Sequence, residues 1–111
     1  MPRASEIVLL PFPFTDLSAG KHRPVLVLKA SNSQGDFVAA QITSQLHHHP
    51  SVRLVADDFE LGDMPKPSIV RTDKIFTLSE ALVTRRIGRL RRTSFQPILD
   101  AICAQLNCLG S

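Results

Sequence analysis

The sequence predicts a small, mainly β protein that is completed by one C-terminal α-helix. Short apolar runs rich in Val, Leu and Ile alternate with clusters of Pro, Gly, Ser and Asn, as expected for a series of short strands. Only residues 94–106 repeat apolar side chains every three or four positions, the period of an amphipathic helix. A length of 111 residues allows one core, so residues 1–111 are expected to form one domain. A small barrel-like sheet packed by the helix is the predicted architecture.

Three strands are predicted in the first half of the chain. Residues 7–10 form the first, which ends at two prolines, and turn-forming residues follow to about His22. Residues 25–28 are a continuous apolar run, which predicts a buried second strand. The turn-rich segment 31–36 separates it from the third strand at 37–43.

The second half predicts two or three further strands. Residues 52–55 alternate polar and apolar side chains, as in a half-exposed strand. The acidic segment 57–67 contains one Gly and two Pro and is predicted to be a loop. A fifth strand is expected at 68–72, with extended chain to 78, and a last short strand at 82–87.

The closing helix has plausible start and stop signals. Thr93 or Ser94 is predicted to cap its N-terminus, and Gly110 follows its end. Pro97 must then lie in the first turn, where its missing N–H is tolerated.

The chain is mildly basic, with a formal net charge of +3. A basic small domain favours a polyanionic partner such as nucleic acid. Five arginines fall within eight residues: Arg85, Arg86, Arg89, Arg91 and Arg92. They could follow a nucleic-acid backbone, form the exposed face before the helix, or contact an acidic segment of a protein partner.

The sequence also bears on the compartment. No signal peptide is expected, because the first residues contain no long apolar region, and the longest apolar stretch, 7–14, is short and contains two prolines. A cytoplasmic protein without membrane contact is therefore expected. Cys103 and Cys108 are expected to be reduced rather than to form a disulfide or a metal site.

Five motifs occur in a fixed order along the chain. They are EIVLLPFPFTD at 6–16, KHRPVLVL at 21–28, ITS at 42–44, VRTDK at 70–74 and IGRL at 87–90. In this order and spacing they resemble the MazF/PemK family of toxins, and VRTDK resembles its PemK branch. The chain departs from the family at Ser5, where a Gly usually precedes the Glu.

The resemblance implies a fold, an activity and partners. The implied fold is a compact SH3-like barrel with a C-terminal helix, usually found as a homodimer. The implied protein is the toxin of a type II toxin–antitoxin system, an endoribonuclease that cuts single-stranded RNA at short sequences. Its products would carry 2′,3′-cyclic phosphate and 5′-hydroxyl ends. A cognate antitoxin would block the site, and no metal or other cofactor is expected.

Metal-free RNA cleavage needs a base for the 2′ proton, an acid for the leaving 5′ oxygen and positive charge at phosphorus. Arg23 and Arg71 suit the last task, because a guanidinium matches the phosphate oxygens. Thr43 could hold a phosphate oxygen near Arg23, and the resemblance implies that this pair is catalytic in the MazF branch. The ordinary alternatives are a surface ion pair for each Arg and backbone hydrogen bonding for Thr43.

A second candidate pair is Arg71 with Asp73. Two residues apart on a strand, they would face the same side, and the cation would keep the carboxylate ionised. The resemblance implies that Asp73 is the base and Arg71 the acid. The high pKa of Arg makes donation difficult, which favours Arg71 as a charge stabiliser. A purely structural ion pair is the alternative, and the sequence leaves open which pair transfers the proton.

Further residues near these motifs are candidates for RNA binding: Lys21, His22, Ser44, Lys74 and Arg86. An exposed loop position is the ordinary alternative for His22. The run His47–His49 is not expected to bind a metal, because three adjacent His rarely face one ion. Phe14 and Phe76 are expected in the core, so base recognition would depend on polar groups.

Two other functions are compatible with these patterns. A related barrel family poisons DNA gyrase without cutting anything, and this chain could likewise bind a protein target. The presence of Arg23, Thr43, Arg71 and Asp73 together argues against that function. A basic RNA-binding domain would bind RNA with strong salt dependence and leave it intact. RNA cleavage in the presence of a chelator separates these possibilities.

Overall fold

The computed structural model describes residues 2–11 and 22–107, which form seven β-strands, two short 3-10 turns and one α-helix. The strands are β1 (Glu6–Pro11), β2 (His22–Lys29), β3 (Asp36–Thr43), β4 (Ser51–Leu54), β5 (Phe59–Gly62), β6 (Ser68–Ser79) and β7 (Arg85–Leu90). The 3-10 turns cover Ala56–Asp58 and Glu80–Leu82, and helix α1 covers Arg92–Leu106. The predicted fold class is confirmed, with more strands than the five or six expected. None of the helical segments in the described residues combines the length and apolar character needed to cross a bilayer.

All neighbouring strands pair antiparallel in one sheet with the order β4-β6-β3-β2-β1-β7-β5. The two edge strands, β4 and β5, follow each other in the chain, from Leu54 to Phe59. That connection spans at most about 18 Å. A flat sheet of this width would separate its edges by about 29 Å, since strands lie ~4.8 Å apart. The sheet must therefore curl into an open barrel.

Apolar runs are continuous in β1 and β2 because both faces of the central sheet are buried. Ile7 lies in a cluster with Phe95 and Ile98 of α1. Val8, the next residue, points to the opposite face and joins a second cluster around Phe37. The predicted buried strands are thus confirmed, and the helix packs on one of the two faces.

The acidic segment 57–67 was expected to be a loop, and this expectation is wrong for residues 59–62. It contains β5, which pairs antiparallel with β7. Phe59 is buried in the core, whereas Glu60 is exposed. Gly62 has a φ of +71°, and a Cβ there would lie 2.2 Å from the Ile87 carbonyl oxygen. Glu60 therefore places a charge on the exposed side of an edge strand, where charges discourage further strand pairing.

Helix α1 begins earlier than predicted, and neither Thr93 nor Ser94 is its N-cap. Arg91 holds that position, and its carbonyl accepts the Ser94 N–H at 3.0 Å. The Ser94 hydroxyl instead donates to Asp58 Oδ1 at 2.9 Å, and the Arg91 N–H donates to the Asp58 carbonyl at 2.8 Å. These tertiary bonds fix the helix start and override the local capping preference.

Pro97 lies inside α1 beyond the first turn, contrary to the expectation. Its missing N–H removes the hydrogen bond that the Thr93 carbonyl would otherwise accept. The helix ends at Asn107, which has a left-handed φ of 59°. Gly110, the predicted stop signal, lies outside the described residues.

Ser5 precedes β1 in a conformation that L-residues rarely adopt, with a φ of 75°. Its N–H donates to the Val27 carbonyl, and its carbonyl accepts the Leu90 N–H, both at 2.9 Å. These two bonds join the start of β1 to β2 and β7, so the backbone there is constrained. The glycine that the MazF/PemK pattern has at this position suits this backbone better than serine does.

Candidate active site

A polar groove of about 1140 Å³ lies where β2 begins, β3 ends and β7 begins. The antiparallel order of these strands brings the three ends together. Its basic and hydroxyl-bearing lining residues are His22, Arg23, Thr43, Ser44, His48, Lys66, Ser68, Arg85 and Arg86. Asp63 is the one acidic side chain among its described lining residues. The groove is thus suited to an anionic ligand.

Arg23 and Thr43 meet in this groove because of strand register. Val25 of β2 pairs with Gln41 of β3, and continuing that antiparallel register by two residues places Arg23 opposite Thr43. Directly opposite side chains on one face have Cβ atoms about 5 Å apart. The Thr43 Oγ1 accepts the backbone N–H of Gln45 at 3.1 Å, which leaves its O–H to donate to a ligand. Arg23 and Thr43 could therefore donate hydrogen bonds to the same phosphate from two neighbouring strands.

Arg71 and Asp73 form a two-pronged ion pair on β6. Arg71 Nε donates to Asp73 Oδ1 at 3.2 Å, and Nη2 donates to Oδ2 at 3.0 Å. The side chains are 15% and 27% exposed, so the pair is partly shielded from water. The hydrogen bond from Arg71 lowers the pKa of the Asp73 carboxyl, more than its partial burial raises it. Asp73 is consequently ionised at neutral pH.

A bulge in β6 presents this pair. Between the matched pairs Ala40↔Ile75 and Ile42↔Val70, β3 has one residue and β6 has four, residues 71–74. Arg71 and Asp73 both lie within β6, at this bulge. Thr72, between the two charged residues, points inward and is buried, and its hydroxyl donates to Gln105 of α1 at 3.1 Å. The helix thereby holds the bulge that directs Arg71 and Asp73 outward.

His48 lines the groove with the first candidate pair, and the charges of the second pair affect its pKa. The sequence did not single this residue out. His47 and His49 are exposed, whereas His48 is half-buried and lines the groove with Arg23 and Thr43. Its pKa is lowered, first by burial and then by the cation of Arg71. Its Nε2 lies 3.0 Å from Gln45 Oε1. The only sequence signal for a groove position of His48 is that the run His47–His49 closely follows Thr43, which ends β3.

Two further groove cations are Lys66, which the sequence did not single out, and Arg85, which belongs to the predicted arginine cluster. Lys66 precedes β6 and Arg85 begins β7, and both are exposed in the groove lining. Within residues 2–11 and 22–107, neither makes an ion pair. Their charges are therefore available to a ligand.

The arginine cluster is divided between several roles. Arg86 Nη1 donates to Oε2 of Glu6 at 2.7 Å; the Arg side chain is 53% exposed and the Glu side chain 4%. Although burial raises the pKa of Glu6, the bonds from Arg86 and the Arg3 backbone outweigh it and lower the pKa. Arg89 pairs with Glu60. Arg86, Arg89 and Arg91 thus make contacts within the fold, and Arg85 and Arg86 also line the groove.

The remaining predicted residues are distributed as follows. His22 and Ser44 are exposed in the groove lining, and Lys74 is exposed beside the Arg71–Asp73 pair rather than in the lining. Phe76 is half-buried against the second core cluster, as expected. Three residues with predicted roles lie outside the described residues: Lys21, Phe14 and Cys108. No group of three or more metal-ligating side chains converges in the described part of the chain.

Comparison with known families matches residues 3–106 to the PemK-like, MazF-like toxins of type II toxin-antitoxin systems. The chain belongs to this toxin family. The family suggested by the five motifs is thereby confirmed. A comparison of this toxin with curated proteins gives no match.

Solved structures show the same fold for the toxin. MazF from Deinococcus radiodurans superposes with a TM-score of 0.75 at 23% identity, covering 96% of each chain. The Mycobacterium tuberculosis toxin MazF-mt6 gives 0.70 at 22% identity, covering 92% of this chain and 96% of that one. A mycobacterial endoribonuclease in complex with its cognate antitoxin gives 0.69 at 21% identity, covering 96% and 93%.

Proposed function

We propose that this toxin is a metal-independent endoribonuclease that cleaves single-stranded RNA in the groove. The main support is that Arg23 and Thr43 face each other in a groove whose charged lining is almost entirely cationic. One structural neighbour is itself described as an endoribonuclease. The 2′-hydroxyl of the RNA attacks the adjacent phosphorus, and the products carry 2′,3′-cyclic phosphate and 5′-hydroxyl ends.

Arg23 and Thr43 bind the scissile phosphate in this proposal. The guanidinium of Arg23 donates to the non-bridging oxygens, whose negative charge increases in the phosphorane. The Thr43 hydroxyl donates to the same phosphate from the neighbouring strand. Arg23 is half-buried, so its charge is less screened there than on an open surface.

Arg71 and Asp73 complete the site. Asp73 holds the Arg71 guanidinium by two hydrogen bonds, so the cation is fixed before RNA arrives. Arg71 adds positive charge near the groove, because its cation lowers the pKa of His48, which lines the groove. Asp73 is ionised and able to accept a proton, but its lowered pKa makes it a weak base.

The RNA strand is held on either side of the scissile phosphate by the groove rim. His22, Ser44 and Arg86 provide donors in the lining, and Lys74 extends the cationic surface toward Arg71. Lys21, outside the described residues, belongs to the same motif as Arg23 and is assigned to this group. These contacts are mainly electrostatic, so binding weakens as salt rises.

The proposal extends to assembly and location. Residues 1–111 act as one toxin domain that forms a homodimer in the cytoplasm, away from membranes. A cognate antitoxin binds the groove and blocks RNA entry. Structures of MazE–MazF from Deinococcus radiodurans are among the structural neighbours, which supports an antitoxin partner.

The test is cleavage of long single-stranded RNAs by the purified toxin in EDTA, with the product ends mapped. Arg23→Ala is expected to lower the cleavage rate about 100-fold or more, the usual effect of removing one donor to a developing oxyanion. Arg92→Ala is the matched control, because Arg92 is exposed at the start of α1 and does not line the groove.

Cleavage that leaves cyclic phosphate ends and is lost only in Arg23→Ala supports the proposed activity. Equal cleavage by folded Arg23→Ala and Arg92→Ala would refute the site. If the wild type leaves every RNA intact, the activity itself is wrong, and capture of a protein target would become the working function.

A further inference from the structure

We propose that His48 is the general base that takes the 2′-hydroxyl proton during RNA cleavage. This inference rests on the proposed function and adds a residue to its site. Neither candidate pair contains a good base near neutral pH. A guanidinium only donates hydrogen bonds, so Arg23 and Arg71 cannot accept the proton, and Asp73 is held by two hydrogen bonds from Arg71. The site as described therefore binds phosphate well but has only a weak base, Asp73, to remove the proton.

His48 is the groove residue whose position meets this need. It follows the end of β3 by five residues and lines the groove together with Arg23 and Thr43. It is also close enough to Arg71 and Asp73 for their charges to influence it. A phosphate held by Arg23 and Thr43 would thus lie in the same groove as the imidazole.

The hydrogen bond to Gln45 determines which imidazole nitrogen of His48 can accept the proton. Gln45 Oε1 lies 3.0 Å from His48 Nε2, and an amide oxygen can only accept, so Nε2 carries the proton and Nδ1 keeps the lone pair. The Gln45 backbone N–H donates in turn to Thr43 Oγ1 at 3.1 Å. One residue therefore positions both the proposed base and the phosphate-binding hydroxyl.

The charges around His48 favour the neutral imidazole. Burial disfavours protonation most. The cations Arg71 and Lys74 of the β6 bulge and His47 of its own loop add to that effect, and the Asp73 carboxylate partly opposes it. Arg23, Lys66 and Arg85 line the same groove and add positive charge. A neutral His is the form that can accept a proton, and it stays neutral to a lower pH here than in water.

The proposed step balances without a further reactant. The O2′–H bond breaks as His48 Nδ1 takes the proton, the O2′–P bond forms, and the P–O5′ bond breaks. Solvent water protonates the leaving O5′, and the imidazolium returns its proton to solvent. The Asp73 carboxylate partly offsets the effect of the surrounding cations on this imidazolium, and the bond to Gln45 keeps the ring in place.

The experiment compares wild type, His48→Gln, His48→Gly and His49→Gln on a short RNA that contains one mapped cleavage site, from pH 5 to 9. His49 is exposed and does not line the groove, so His49→Gln is a matched control. Binding is measured separately on the same oligonucleotide with a 2′-deoxy sugar at the cleavage site, which cannot react. Folding of each variant is checked by thermal unfolding.

His48→Gln is expected to lower kcat about 100-fold or more, without a change in Kd for the deoxy analogue, and to remove the acidic limb of the pH–rate profile. Free imidazole is expected to restore part of the activity of His48→Gly. His49→Gln is expected to match the wild type.

Three outcomes would overturn the inference. A wild-type rate and an unchanged acidic limb in His48→Gln exclude the base role and leave the ribonuclease intact. A weaker Kd with unchanged kcat makes His48 a binding residue. Failure of the wild type to cleave any RNA removes the inference together with the proposed function.

Discussion

Replacing Ser5 by glycine should stabilise the toxin, because Ser5 has a φ of 75°. An L-residue in the left-handed region costs about 1–2 kcal/mol relative to its preferred conformations. Glycine removes that cost but loses more backbone entropy on folding, by about 0.5–1 kcal/mol. The net gain is therefore roughly 0.5–1 kcal/mol in the free energy of unfolding. For a chain of this length, that gain raises Tm by about 2–6 °C.

Thermal unfolding followed by circular dichroism, with Ser5→Ala as the control, tests this reasoning. Alanine shortens the side chain as glycine does but keeps the Cβ, so its Tm should stay at or below that of the wild type. Equal Tm values for Ser5→Gly and Ser5→Ala would refute the strain argument. RNA cleavage should be unchanged in both variants, because Ser5 does not line the groove.

Two further predictions concern charged pairs. Arg86→Ala should lower the free energy of unfolding by about 1–3 kcal/mol, because it leaves the buried Glu6 carboxylate without its cation. Chemical denaturation checks this value, and adding Glu6→Gln should recover part of the loss; equal stability of Arg86→Ala and wild type would contradict it. Asp73→Asn should be less stable than wild type at pH 7. The pKa of Asp73 is lower in the folded toxin than in the unfolded chain. The extra stability of the wild type is therefore fully present above the unfolded-state pKa and is lost as pH falls through the folded-state pKa. Denaturation at several pH values should therefore show the two curves converging below about pH 4, and a constant difference would contradict the assignment.

Most of the fold could be predicted from local patterns, and the errors have a tertiary cause. The runs at 7–10 and 25–28 predicted β1 and β2 because burial on both faces requires uninterrupted apolar residues. β5 was missed because an edge strand can be acidic on its outer side, and only Phe59 marks its inner side. The helix start was misplaced because Asp58, more than thirty residues earlier, binds Ser94.

The candidate site was predictable where a single strand pattern defines it. Spacing by two along one strand predicted the Arg71–Asp73 contact. The juxtaposition of Arg23 and Thr43 came from family resemblance alone, because it depends on the register between β2 and β3. Lys66 enters the groove from a segment that lies outside every motif, so no local pattern could place it there. Arg86 was assigned to RNA, but its pairing with Glu6 depends on the β1–β7 contact.

The cationic character of the groove also bears on which kind of base it can use. Each cation that stabilises the phosphorane also lowers the pKa of a neighbouring base. A carboxylate starts near 4, so Arg71 moves Asp73 further from the operating pH and weakens it as a proton acceptor. An ordinary imidazole has a pKa near 6.5, so lowering the pKa of His48 keeps the ring neutral at the operating pH, which is the form that accepts a proton. A site that combines strong phosphate binding with proton removal is therefore better served by His48 as the base and by Asp73 as the group that fixes Arg71.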